Sequence, residues 1–100
     1  MAVTAVLHGF KDALMSELGG HQPSGRNLDT DYCFGFGYDG TVQDSTIHEF
    51  VTGFFQARGR KINLDARYLL GSLFVGEERY AICITHAHFA QKIMVQIEPI

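Results

Sequence analysis

Tryptophan is absent, proline and cysteine each occur twice, and charged residues make up only 19% of the chain. Each scarcity excludes something. With so little proline and no repeat, collagen-like and proline-rich extended architectures are ruled out, and 46% apolar residues are too many for a disordered chain. Cys33 and Cys83 lie far apart with no C-x-x-C spacing, so free thiols in a reducing compartment are expected in place of a disulfide framework. The expected location is cytoplasmic. A membrane span or signal peptide is not expected either, because the segment Met1 to Leu18 is interrupted by His8, Lys11, Asp12 and Glu17. What remains is a globular chain of 100 residues, long enough to bury its own core as a single domain over 1–100.

Basic residues are also few, and they are unevenly placed. The formal net charge is −3. From Asn27 to Ala57 there is no lysine or arginine while Asp29, Asp31, Asp39, Asp44 and Glu49 accumulate; Arg58, Arg60, Lys61 and Arg67 then follow closely. A duplex-binding domain needs a broad basic face to neutralise phosphates, and this chain lacks the residues for one. An acidic segment suits a basic partner instead.

The densest signal is Asp31-Tyr32-Cys33-Phe34-Gly35-Phe36-Gly37-Tyr38-Asp39-Gly40. On a strand, Tyr32, Phe34, Phe36 and Tyr38 form one aromatic row, and Cys33, Gly35 and Gly37 leave the other face nearly bare. Around it, Val3, Leu7, Phe10, Leu14 and Leu18 recur at helical spacing, with Thr4 as N-cap and Gly19-Gly20 as the stop. Gly19 to Asp29, with Pro23, Ser24 and Gly25, has the chemistry of a long surface loop. A second helix is expected from a capping box, Thr46 with Glu49, through Ile47, Phe50, Val51, Phe54 and Phe55 to Gly59; Arg58, Arg60 and Lys61 then sit at the negative end of its dipole. Beyond Lys61 the period changes. A run from Tyr68 to Val75, an alternating run at Tyr80, Ile82 and Ile84, and a last one at Ile93, Val95 and Ile97 read as an antiparallel meander ended by Pro99, with Ile62 to Leu64 offered as a further short strand. The expected fold is α+β, in the order α-β-α-β-β-β: two helices packed on one face of a mainly antiparallel sheet of about four strands.

Three stretches imitate chemical motifs. Gly35, Gly37 and Gly40 match the G-x-G-x-x-G of a dinucleotide site, but Thr41 to Asp44 separate the last glycine from the helix, and the later strands do not form βαβ units. Phe34-Gly35-Phe36 resembles the stacking strand of RNA-recognition domains over those residues alone; the flanking aspartates and the preceding helix depart from that family. Packing of the aromatic row on Phe50, Phe54 and Phe55 is the plainer account. His86-Ala87-His88 puts two imidazoles on one strand face, with His8, His21 or His48 as further donors, but no carboxylate or cysteine stands at a recurring spacing beside them. No metal and no cofactor is expected, and the thiols are expected to be buried and inert.

No catalytic constellation emerges, so the expected function is non-enzymatic. The size and charge profile is similar to that of small acidic phage proteins that inhibit host nucleic-acid enzymes, anti-CRISPR proteins among them, as an analogy of profile and not of motif. It implies an inhibitor that binds a basic, nucleic-acid-binding site on a larger protein assembly, through Asp29, Asp31, Tyr32, Tyr38, Asp39 and Asp44. Direct nucleic-acid contact is not expected. An uncovered edge strand at Ile93, Val95 and Ile97 could also pair with a second copy as a homodimer. The alternative is a small metal- or nucleotide-dependent enzyme using His86 and His88 or the glycine-rich strand.

Overall fold

The structure is a computed structural model that describes residues 3–22 and 29–100. Helices α1 (Val3–Leu7) and α2 (Phe10–Leu18) replace the single helix expected over this stretch. The break is Gly9, at φ +80°, a left-handed conformation open to glycine that re-aims the chain so that Val6 and Leu7 are buried along with Phe10, Leu14 and Leu18. Thr4 lies inside α1 and is not its N-cap. Gly19, also left-handed, closes α2 by donating its N–H to the carbonyls of Met15 and Ser16.

Strand β1 (Gly20–His21) follows, then β2 (Cys33–Tyr38) and helix α3 (Asp44–Ala57). The tip of the expected loop, with Pro23, Ser24 and Gly25, lies outside the described residues. Helix α3 starts two residues before the expected capping box. Gln43 occupies the cap with its carbonyl accepting from Thr46 N–H and Ile47 N–H, which puts Thr46 inside the first turn and a carboxylate, Asp44, at the positive end of the helix. At the other end, the Arg58 guanidinium lies 3.5 Å from the Phe54 ring centre and donates to the Phe54 carbonyl at 3.0 Å, so this cation has a structural task.

Strands β3 (Ile62–Leu64), β4 (Leu70–Val75), β5 (Glu78–Ala87) and β6 (Lys92–Pro99) complete a six-stranded, wholly antiparallel sheet in the order β1-β2-β6-β5-β4-β3. The class expected from the sequence is the one observed. The two strands beyond the expected four or so are the shortest, and they form the two edges: β3, offered from the sequence as a further short strand at Ile62 to Leu64, and β1, which the sequence did not announce. Strand β4 begins later than the apolar run because Asp65 Oδ1 accepts the backbone N–H groups of Arg67 and Tyr68, both at 2.8 Å, and builds a turn there. The expectation that Ile93, Val95 and Ile97 form an edge is overturned: β6 sits between β2 and β5, and its backbone groups are already paired on both sides.

Among the described residues, the helices cover one face of the sheet and none covers the other. Phe34, Phe36, Tyr38, Ile93, Val95, Ile97, Ile82, Ile84 and Leu73 pack beneath the helices. Phe10, with 0% exposure, is the hub: its ring lies within 4.9–5.9 Å of the rings of Phe34, Phe54 and Phe55. The aromatic row of β2 is therefore core from Phe34 to Tyr38, and Tyr32 is half-buried. The uncovered face carries Cys33, Gly35, Met94, Gln96, Cys83 and Thr85. Cys33 is exposed, contrary to expectation, and Cys83 is intermediate. Both align with Gln96 from opposite sides, so β6 separates them by about two strand spacings, near 9–10 Å and beyond disulfide reach.

Candidate functional site

At the end of the sheet where β2 finishes and β6 begins, four polar side chains converge beneath the first turn of α3. Strand alternation turns His86 toward the helices, in one cross-strand row with Ile93 and Phe36. Tyr38 lies one step further along β2, and its hydroxyl reaches across the start of β6 to His86 Nε2 at 2.5 Å. Asp44, the first residue of α3, brings Oδ1 to 2.6 Å from His86 Nδ1. His88, just past β5, folds back so that its ring stacks on His86 at 3.8 Å between centres, with Nε2 3.3 Å from the same Asp44 oxygen.

The hydrogen bonds fix the protons. A carboxylate only accepts, so His86 Nδ1–H donates to Asp44, and in the neutral ring Nε2 accepts the Tyr38 hydroxyl proton. Tyr38 and the side chain of His86 are each 3% exposed, whereas the side chains of Asp44 and His88 are 40% and 55% exposed. The cluster is thus sealed on the sheet side and open toward solvent above Asp44 and His88. Three of its groups, Asp44, His86 and His88, hold candidate ligand atoms within 4.8 Å of one another. The third member is a carboxylate distant in sequence. The histidines offered from the sequence do other things: His48 Nε2–H donates to the Leu64 carbonyl at 2.8 Å, and His21 lies 3.6 Å from exposed Asp39.

The six acidic and aromatic residues expected at a partner surface do not form one patch. Asp31 and Tyr32 precede β2 and Tyr38 and Asp39 end it, about 20 Å apart at the rise of an extended strand. Tyr38 is buried in the cluster and has no face to offer a partner. Asp29 is engaged internally, with Lys11 Nζ at 2.8 Å, and that bond holds its carboxyl below the usual range, helped by the Gly35 backbone N–H. Asp44 belongs to the histidine cluster. Asp31 and Asp39 remain exposed.

Two further features were not foreseen. Phe89, at the tip of the β5–β6 turn, is fully exposed at 107%. Its turn is pinned, since Tyr38 N–H donates to the Gln91 carbonyl at 3.0 Å and the Gln91 side-chain amide donates to the Gly40 carbonyl at 2.7 Å. Beside it, a depression of about 190 Å³ is lined by His21, Asp39, Gln91 and Lys92. On the uncovered face, a groove of about 430 Å³ runs over Gly35, Thr85 and Met94 with Asp29 at its rim. The glycines of the G-x-G-x-x-G stretch lie within β2 and the turn after it, not at the start of α3, so they make no phosphate cradle there. A side chain at Gly37 would meet the His21 ring at 3.0 Å, which explains that glycine by packing.

No helix among the described residues is long and apolar enough to cross a membrane. Searches against protein-family models, curated proteins and solved structures find nothing that matches the chain. The fold and the site therefore carry the functional argument alone.

Proposed function

We propose that this chain is a non-enzymatic binding module that docks on a larger protein through the end of the sheet that carries Phe89 and Asp39. The observation behind the proposal is Phe89: a wholly exposed aromatic ring on a turn held by two cross-loop hydrogen bonds. Such a ring enters a pocket with little loss of backbone freedom, and aromatic anchors of this kind dominate the energetics of protein interfaces. Asp39, which lines a depression with Ala90 and Gln91 of the same turn, together with the net charge of −3, favours a partner with a basic surface. The finer form of the reading is an inhibitor that occupies a nucleic-acid-binding site on that partner, as anti-CRISPR proteins do.

The test is affinity capture from the native host followed by competition. A captured protein that loses its nucleic acid as the chain is added, with salt-sensitive binding weakened by Asp39→Lys and by Phe89→Ala, supports the reading. Capture indifferent to both substitutions, or a partner whose nucleic acid stays bound, rejects it.

A second reading, a metal-dependent enzyme, is favoured by one observation, the convergence of Asp44, His86 and His88 on a partly open site. Metal-dependent turnover of a small compound by the pure protein, abolished in His88→Ala, would install it in place of the first.

A further inference from the structure

We propose that Asp44, His86 and His88 form a binding site for a divalent transition-metal ion, with Tyr38 as the outer-shell partner of His86. The inference does not depend on the docking surface and holds whether or not the protein is an enzyme. Two imidazole nitrogens and one carboxylate oxygen are the donor set that suits zinc and its neighbours, and three protein ligands with a solvent-facing fourth position describe an open site. The spacing is close to it: the three ligand atoms lie within 4.8 Å of one another. Bonds of about 2.0–2.2 Å in tetrahedral array put ligand atoms about 3.3–3.5 Å apart. His88 Nε2 and Asp44 Oδ1 already stand at 3.3 Å. His86 Nδ1 and Asp44 Oδ1, at 2.6 Å, must open by less than about 1 Å, which partly exposed Asp44 allows by turning its carboxylate.

The metal-free geometry explains what the ion would replace. Both imidazoles bring a nitrogen to one carboxylate oxygen; the His86 approach is an N–H donation that a cation supplants, and the His88 approach is a close contact at 3.3 Å. On binding, His86 Nδ1 gives up its proton and coordinates through its lone pair. The ring then carries its proton on Nε2, and that N–H donates to the Tyr38 oxygen in a reversal of the present bond. Tyr38 thereby fixes the tautomer and the ring plane. Its burial and that of His86 make one wall of the site, and His88 closes it from the exposed side.

Cobalt(II) serves as the probe, since its visible absorption reports nitrogen and oxygen ligation, with zinc(II) titrated in parallel. The expected result is one ion per chain, with affinity at least tenfold weaker in His88→Ala, a position exposed enough to leave the fold intact by circular dichroism. Tyr38→Phe is expected to weaken binding by about 10-fold while leaving the stoichiometry at one, as outer-shell changes do. Of the five histidines, His86 and His88 should show the zinc-dependent shifts in imidazole NMR signals. Substoichiometric binding by the folded wild type, wild-type affinity in folded His88→Ala, or zinc-dependent shifts confined to His8, His21 or His48 would overturn the site.

Discussion

The hydroxyl of Tyr38 and Nε2 of His86 meet at 2.5 Å across 48 residues of chain, and both side chains are almost fully buried. Removing the hydroxyl with Tyr38→Phe leaves a buried ring nitrogen without its donor. The expected cost is about 1–3 kcal/mol in urea unfolding, the penalty of an unsatisfied buried polar group. In a double-mutant cycle with His86→Leu, the two losses should fall short of additivity by about 0.5–3 kcal/mol. Strict additivity would mean that the pair is not coupled.

Gly71 in β4 faces the backbone of β3 so closely that a Cβ there would stand 1.8 Å from the Asn63 carbonyl oxygen. Backbone cannot yield as a flexible side chain can. Gly71→Ala should detach β3 from the sheet edge, seen as rapid amide exchange over Ile62–Leu64, with a stability loss of about 2 kcal/mol or more. Unchanged protection of those amides would contradict the close approach.

Phe10→Ala removes the ring on which Phe34, Phe54 and Phe55 converge. A loss of about 3–5 kcal/mol is expected from chemical denaturation, a large part of the stability of a domain this size. Phe89→Ala should change stability by less than about 0.5 kcal/mol, because the ring touches nothing it needs for folding. The contrast separates the core aromatics from the exposed one.

Acid should weaken the fold through Asp29. Its carboxyl is held below the ordinary 3.8 by the Lys11 hydrogen bond, so the folded state binds this proton less readily than the unfolded chain. The stabilisation is present above the unfolded value and is lost as pH falls below about 4 through the lowered folded value. In Asp29→Asn that component of the acid limb should vanish from midpoints measured between neutral pH and pH 2. An identical acid limb in both proteins would show that the Lys11–Asp29 pair contributes nothing.

Periodicity made much of this readable in advance. The spacing of Ile47, Val51, Phe54 and Phe55 announces α3, and the alternation at Ile93, Val95 and Ile97 announces β6, because one-sided burial imposes periods of 3.6 and 2 on apolar residues. Alternation also assigns Cys83 and Ile84 to opposite faces. Errors arose where local chemistry competes with itself: Gly9 breaks a helix that the apolar stripe runs through, and Gln43 caps α3 although Thr46 and Glu49 spell a capping box. Periodicity cannot say which strands are neighbours, so it left β6 at an edge when pairing puts it inside.

The amino-acid order alone settled the class of fold, the two amphipathic helical regions and the inward faces of the longer strands, since each depends on near neighbours in the chain. Only the folded arrangement decided the site. Asp44 and His86 are 42 residues apart, and no local pattern links them; they meet because the pairing of β2 and β5 through β6 brings Tyr38 beside His86 and α3 starts directly above that end of the sheet. The acidic segment that looks continuous in one dimension is divided in three, because an extended strand carries its two ends far apart.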